Sequence, residues 1–291
     1  MKPSRDFHKS RAVAWLFLLA TLTADASEQV KLGPPLILPL PLEGVRGISL
    51  AMGAGGEIIE LAGPTPRLLI WNEVEEFTGE FQPSEDRNVV LVDIADDAGF
   101  GFLAVDPLIP IIHSFGRRGE ARPGLPLISK TVLEPISVCS GENGTIYLLN
   151  QKDGDIWRVD RDGRATPLLI PSQFKLRSSN SQLVRQPNRS LIWLLNGDRI
   201  ISASYGGQIK RIMEIQQSSS VDHAVTGDLL WVVGDGLMVL SSESGEVVGR
   251  WDSEAMKAWG IITPVSIAGQ STRLAILCED GKVALFHVDL P

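Results

Sequence analysis

The sequence predicts an all-β chain folded as a six-bladed β-propeller with four-stranded antiparallel blades. Three observations predict it. A strand-like motif recurs six times at a near-constant spacing, each repeat holds four short apolar runs divided by turn residues, and the two ends of the chain supply complementary parts of one blade.

The motif occurs as GGEIIEL (55–61), GFGFLAV (99–105), ENGTIYLL (142–149), NRSLIWLL (188–195), TGDLLWVV (226–233) and STRLAIL (271–277). Each copy opens on small or polar turn residues and continues with Ile, Leu, Val and aromatics, the composition of a buried strand. Aligning Ile59, Leu103, Tyr147, Trp193, Trp231 and Ala275 gives spacings of 44, 44, 46, 38 and 44 residues. A shorter strand precedes each marker, as at 47–51 and 135–138, and a turn then leads to a third strand, clearest at 155–159. A polar hairpin at 160–163 leads to a fourth strand at 165–170, and helical periodicity is confined to 253–259. The sixth unit runs through 264–268, 273–277 and 282–288 and lacks a fourth strand, while the apolar run 36–40 stands unassigned before the first unit. The N-terminal run therefore completes the last blade and closes the ring. Prolines 34, 35, 39 and 41 suit an outermost strand, where a missing N–H breaks no ladder.

The residues Phe115, Gly116, Gly119 and Gly124, then Pro135-Ile136-Ser137-Val138, Gly144-Thr145-Ile146-Tyr147-Leu148 and 156–163, resemble an NHL-type repeat of the six-bladed TolB-like propellers. The resemblance covers about 47–163 strongly and the last three units more weakly. Three residues after each marker the family favours Asp, and this chain has Ala62, Asp106, Asn150, Asn196, Gly234 and Cys278. The resemblance implies interaction as the default role. Lactone hydrolases and peptide-amidating lyases share the fold and use calcium or zinc, so the second reading is a metal-dependent hydrolase or lyase. Its site would lie at the mouth of the central channel, where Asp222, His223, Asp106, Asn150 and Asn196 would hold one divalent cation, Ca or Zn.

Of the 291 residues 44 % are hydrophobic and 21 % charged, a globular balance, with 27 basic and 35 acidic residues and a formal charge of -8. No basic block offers a nucleic-acid footprint. Lys2, Arg5, Lys9 and Arg11 precede the uncharged run 12–22, which is too short to span a bilayer, and Ala24-Asp25-Ala26 follows it. Residues 1–26 thus read as a signal peptide cleaved before Ser27, leaving one domain over 27–291 with a charge of -10 and no transmembrane segment. The expected location is periplasmic or secreted. Cys139 and Cys278 fall in units that face each other across the ring, too far apart for a bridge, so two buried free thiols are expected.

No GxSxG elbow, paired-histidine spacing or EF-hand loop occurs. The reading that follows is an exported, non-catalytic scaffold that binds a protein or a cell-envelope polymer and needs no cofactor. The connections 82–88, 123–133, 171–182 and 216–222 open on one face, the candidate binding face. Candidate contacts are Lys130, Lys175 and Arg177 in those loops, the cluster Arg117, Arg118 and Arg122, and Trp251 with Trp259, which depart from the repeat.

Overall fold

The computed structural model of the chain describes residues 30–39, 44–83, 89–168, 181–215 and 219–289. The expected signal peptide, Lys175 and Arg177 lie outside them. Six antiparallel sheets are formed, spanning 46–81, 93–126, 135–167, 183–214, 222–251 and 264–289, numbered here as blades 1 to 6. Each blade has four strands in sequential order, and blade 6 takes its outer edge from the N-terminal segment. Lys31–Leu32 pairs with Asp289 and Val288, and Leu36–Ile37 pairs with Leu285 and Ala284. Gly33, Pro34 and Pro35 divide this edge into two short pieces, because proline removes the donors a continuous strand needs.

The six sequence markers are equivalent residue for residue. Ile59, Leu103, Tyr147, Trp193, Trp231 and Ala275 pair with Ala51, Ala95, Cys139, Val184, Ala224 and Ala268 on the six innermost strands. The core follows from this repetition. Six apolar clusters fill the spaces between neighbouring blades, and Trp193, Trp231 and Ile59 are fully buried there. Burying one such side chain contributes roughly 1.5–3 kcal/mol. The helical signal also holds: Asp252 caps Ser253–Ala258 by accepting from the Ala255 N–H at 2.9 Å.

Blade 2 refines the sequence reading. Phe115 ends the third strand, Ile111–Phe115, and the fourth is Ala121–Pro126, so the connection to blade 3 begins at Leu127 rather than 123. A register shift between Arg122 and Leu125 lets Pro123 and Gly124 sit in an edge strand. Cys139 and Cys278 are free and buried, in blades 3 and 6 as the repeat requires.

Candidate functional site

The innermost strands Arg46–Met52, Asp93–Asp96, Pro135–Ser140, Leu183–Gln186, Asp222–Thr226 and Pro264–Gln270 surround a central channel. Its upper end is where these strands begin, and its lower end is where they finish. Near the upper end each blade gives one polar side chain to a belt: Ser49, Asp93, Ser137, Gln182, Asp222 and Ser266. Ser49 Oγ and Ser137 Oγ donate to Asp93 at 2.8 and 2.6 Å, and the Val138 N–H adds a third bond at 2.9 Å. Ser266 Oγ and the Ile267 N–H donate to Asp222 at 2.7 and 2.8 Å, and the His223 N–H at 2.6 Å. The Gln182 amide nitrogen also faces Asp222, the orientation that gives both groups a complementary partner. The next residue of a neighbouring blade completes the circuit, since Leu50, Ile94 and Leu183 donate their N–H groups to Ser266, Ser49 and Ser137. The belt therefore stitches every blade to the next around the ring.

Burial governs the electrostatics of this belt. It pushes the Asp93 carboxyl up to about 6 and Asp222 up to about 8, against the hydrogen bonds that favour their charged forms. The same burial lowers the His223 imidazole to about 4, so the ring is neutral at physiological pH. Its Nε2 lies 3.2 Å from the Trp193 carbonyl, which can only accept, so the proton sits on Nε2. His223 Nδ1 has no hydrogen-bond partner and stands 3.9 Å from Asp222.

Below the belt the wall becomes apolar. Leu50, Ile94, Val138, Leu183 and Ile267 form one layer, with His223 as its sixth member, and the small residues that pair with the markers form the next. At the level below, Arg185 of blade 4 reaches past blade 3 to Asp96 of blade 2, an ion pair of 2.5 Å. Ser140 of blade 3 donates to the Asp96 carbonyl at 2.8 Å beneath it. The cavity in the channel is about 110 Å³.

The five residues of the metal reading do not meet at this channel. Asp222 and His223 line the cavity, whereas Asp106, Asn150 and Asn196 do not. Asp106 accepts from the N–H groups of Val90, Leu108 and Ile109, and Asn150 accepts from Glu134, so these side chains fix the loops at the starts of blades 2 and 3. Among the described residues no three His, Cys, Asp or Glu side chains gather as a metal set. The repeat position three residues after the marker thus serves a structural bond in blades 2 and 3.

The expected contact residues divide similarly. Arg117 donates to the Gly99 carbonyl at 3.0 Å and approaches Glu57, and Arg122 donates to the Phe100 carbonyl at 2.7 Å. These two guanidinium groups brace turns on the lower face, and Arg118 lies beside them on an exposed turn. Trp251 stacks on Trp231 and Trp259 packs edge-on against Phe286, both half-buried against the cluster between blades 5 and 6. Their departure from the repeat reflects packing around the helix Ser253–Ala258. Trp259→Ala is expected to lower stability by about 3 kcal/mol, read as a fall in Tm, because it opens a cavity under that helix.

Of the candidate cations, Lys130 stands on the upper face in a groove. The groove measures about 670 Å³ between the turn at 107–110 and the connection at 127–134. Exposed apolar side chains surround that face: Leu108 at 73 %, Val132 at 66 % and Ile262 at 60 %.

No family model and no curated protein matches the chain. Solved structures resemble it in fold. A catalytically inactive virginiamycin B lyase from Staphylococcus aureus with quinupristin is 13 % identical over 89 % of this chain and 99 % of that one, at a TM-score of 0.60. A gluconolactonase from Xanthomonas campestris is 14 % identical over 90 % and 97 %, at 0.65. A protein of unknown function from Bacteroides thetaiotaomicron is 10 % identical over 90 % and 74 %, at 0.67. At such identities the likeness establishes the six-bladed fold.

Proposed function

We propose that the chain is an exported propeller that binds a protein or a cell-envelope polymer across its upper face and performs no chemistry of its own. The observation that carries this reading is the groove beside Lys130 with Leu108 and Val132 exposed along it, since apolar side chains that far out of a rigid ring favour a partner over water. Supporting it, the belt carboxylates are occupied by bonds between blades, and the NHL-type resemblance favours an interaction role. The leader-like residues 1–26 and the acidic remainder support export. The decisive comparison is in-cell cross-linking of the native chain against Leu108→Asp combined with Val132→Asp. The double variant is expected to lose its cross-linked partner while its Tm stays within about 2 °C of the parent, as surface changes do. Unchanged cross-linking would overturn the assignment of the face.

The lyase and the gluconolactonase among the similar structures favour a second reading, a metal-dependent hydrolase or lyase at the channel. Elemental analysis of the purified chain separates the two. About one divalent ion per chain, lost on replacing Asp222 and His223 together, would bring that reading forward.

A further inference from the structure

The lower face carries a second pocket, of about 580 Å³, between blades 1 and 2, and two hairpin turns wall it. On blade 1 the turn 72–76 is fixed by Asn72, whose Oδ1 accepts from the Val74 and Glu76 N–H groups at 3.1 and 2.9 Å. Two of the three carboxyls on this turn are engaged, since Glu75 pairs with Arg273 of blade 6 at 3.2 Å and Glu76 accepts from the Asn72 amide at 3.2 Å. The third, Glu73, lines the pocket and has no side-chain partner among the described residues. The arginine turn of blade 2 repeats the arrangement with the opposite sign. Arg117 is held by the Gly99 carbonyl and Glu57, and Arg122 by the Phe100 carbonyl and Glu120. Arg118 lines the pocket, and its guanidinium has no partner among the described residues. Between these walls the floor is apolar, made by Ile70 and Phe81. A Cβ on Gly119 would stand 2.3 Å from Ile70, so the arginine turn rests directly on that floor.

We infer that this pocket binds a short peptide with free termini and an apolar side chain. The ammonium meets Glu73, the carboxylate meets Arg118, and the side chain lies on Ile70 and Phe81. A ligand with one sign of charge matches one wall and is repelled by the other, whereas a zwitterion matches both. Size sets the class of zwitterion. At the ~10–15 Å³ that one water-sized centre requires, about 580 Å³ holds several times the roughly ten non-hydrogen atoms of a single amino acid. Val74, exposed beside Glu73, extends the apolar surface for a longer ligand. The site lies on the opposite face of the ring from the docking groove, so it stands or falls independently of the proposed partner.

The test is NMR titration of the full chain with the tripeptide alanyl-leucyl-alanine, its N-acetylated form, its C-terminal amide and free leucine. Saturable one-to-one binding of the free tripeptide is expected. Each blocked form should bind about three- to fivefold more weakly, the effect of one charge pair at an exposed site. Leucine should bind at least about tenfold more weakly, because it covers less of the apolar floor. Glu73→Gln should bring the free tripeptide down to the level of its acetylated form, and Arg118→Gln down to the level of its amide. Thr78→Trp, which places a large ring at the pocket wall, should abolish binding. Thermal melts establish that the three variants are folded, and the two charge variants decide the matter if the tryptophan variant is not. No binding of the tripeptide, equal binding of free and blocked forms, leucine binding as tightly as the tripeptide, or a terminal preference that survives both charge variants would each overturn the assignment.

Discussion

Glu60→Leu is expected to raise the Tm by on the order of 10 °C at pH 9 and far less at pH 5. Glu60 is fully buried in the second strand of blade 1, and neither of its oxygens has a hydrogen-bond partner. Ile58 and Ala62, two residues to either side, belong to the apolar cluster between blades 6 and 1. The equivalent positions hold Ala104, Leu148, Leu194, Val232 and Ile276, each opposite an innermost-strand residue as Glu60 is opposite Leu50. Burial first, and the nearby Asp280 charge second, push its carboxyl from 4.5 to about 8. A raised folded-state pKa means that the folded chain holds the proton more tightly than the unfolded chain. The stability linked to that proton is complete below about 4.5 and is lost as pH rises through about 8. At ~1.4 kcal/mol for each tenfold difference in proton affinity the loss at pH 9 is on the order of 5 kcal/mol, and each kcal/mol moves Tm by about 2–4 °C in a domain of this size. Leucine removes the titration and supplies the side chain that two other blades use. Melts at the two pH values decide the matter, and an equal gain at both would show that ionisation of Glu60 plays no part.

Asp93→Ala is expected to lower the Tm by a similar amount in the opposite direction. The substitution strands the Ser49 and Ser137 hydroxyls and the Val138 N–H, three buried donors on two neighbouring blades. Each unsatisfied group costs about 1–3 kcal/mol. Asp93→Asn keeps an acceptor and should lose less than half as much. The native belt also answers to pH, because stability linked to the Asp93 proton is complete below 3.8 and lost as pH rises through about 6. The alanine variant should therefore lack the part of the native pH slope between those values. If alanine and asparagine destabilise equally, the carboxyl oxygens are not what joins the blades.

The architecture is legible in the sequence because it is repeated. A buried second strand needs a run of Ile, Leu, Val and aromatics, and six such runs at a common spacing constrain one another even where single strands are ambiguous. The closing strand is legible for a different reason, since a blade short of one strand demands it. The belt is less visible. Ile48-Ser49-Leu50, Val92-Asp93-Ile94, Ile136-Ser137-Val138, Val221-Asp222-His223 and Val265-Ser266-Ile267 place one polar residue at the same point of five innermost strands, a signal that emerges only when those strands are aligned. Asp222 stands out by itself in the sequence, beside the histidine, and its five companions do not. The bonds of the arginine cluster are not legible in the sequence, because sequence spacing reports nearness along the chain. The carbonyls of Gly99 and Phe100 that engage Arg117 and Arg122 lie across a hairpin. Glu60 gives no signal in its own motif, since each of the two carboxyls in GGEIIEL, Glu57 and Glu60, reads as an ordinary solvent-facing position.

The pairing of Lys31–Leu32 and Leu36–Ile37 with Val283–Asp289 also sets an order of events in time. Blades 1 to 5 can each form from a contiguous stretch as the chain emerges, whereas blade 6 must wait until segments about 250 residues apart meet. The entropy of closing so long a loop grows only as about (3/2)RT ln n, so the delay is mainly one of search rather than of final stability. Until that meeting the last strand presents an open edge ready to pair with another chain, which makes the unfinished ring the state most in need of protection during synthesis. A circular permutant that joins residue 289 to residue 30 and opens the chain between blades 3 and 4 would turn this last step into a local one.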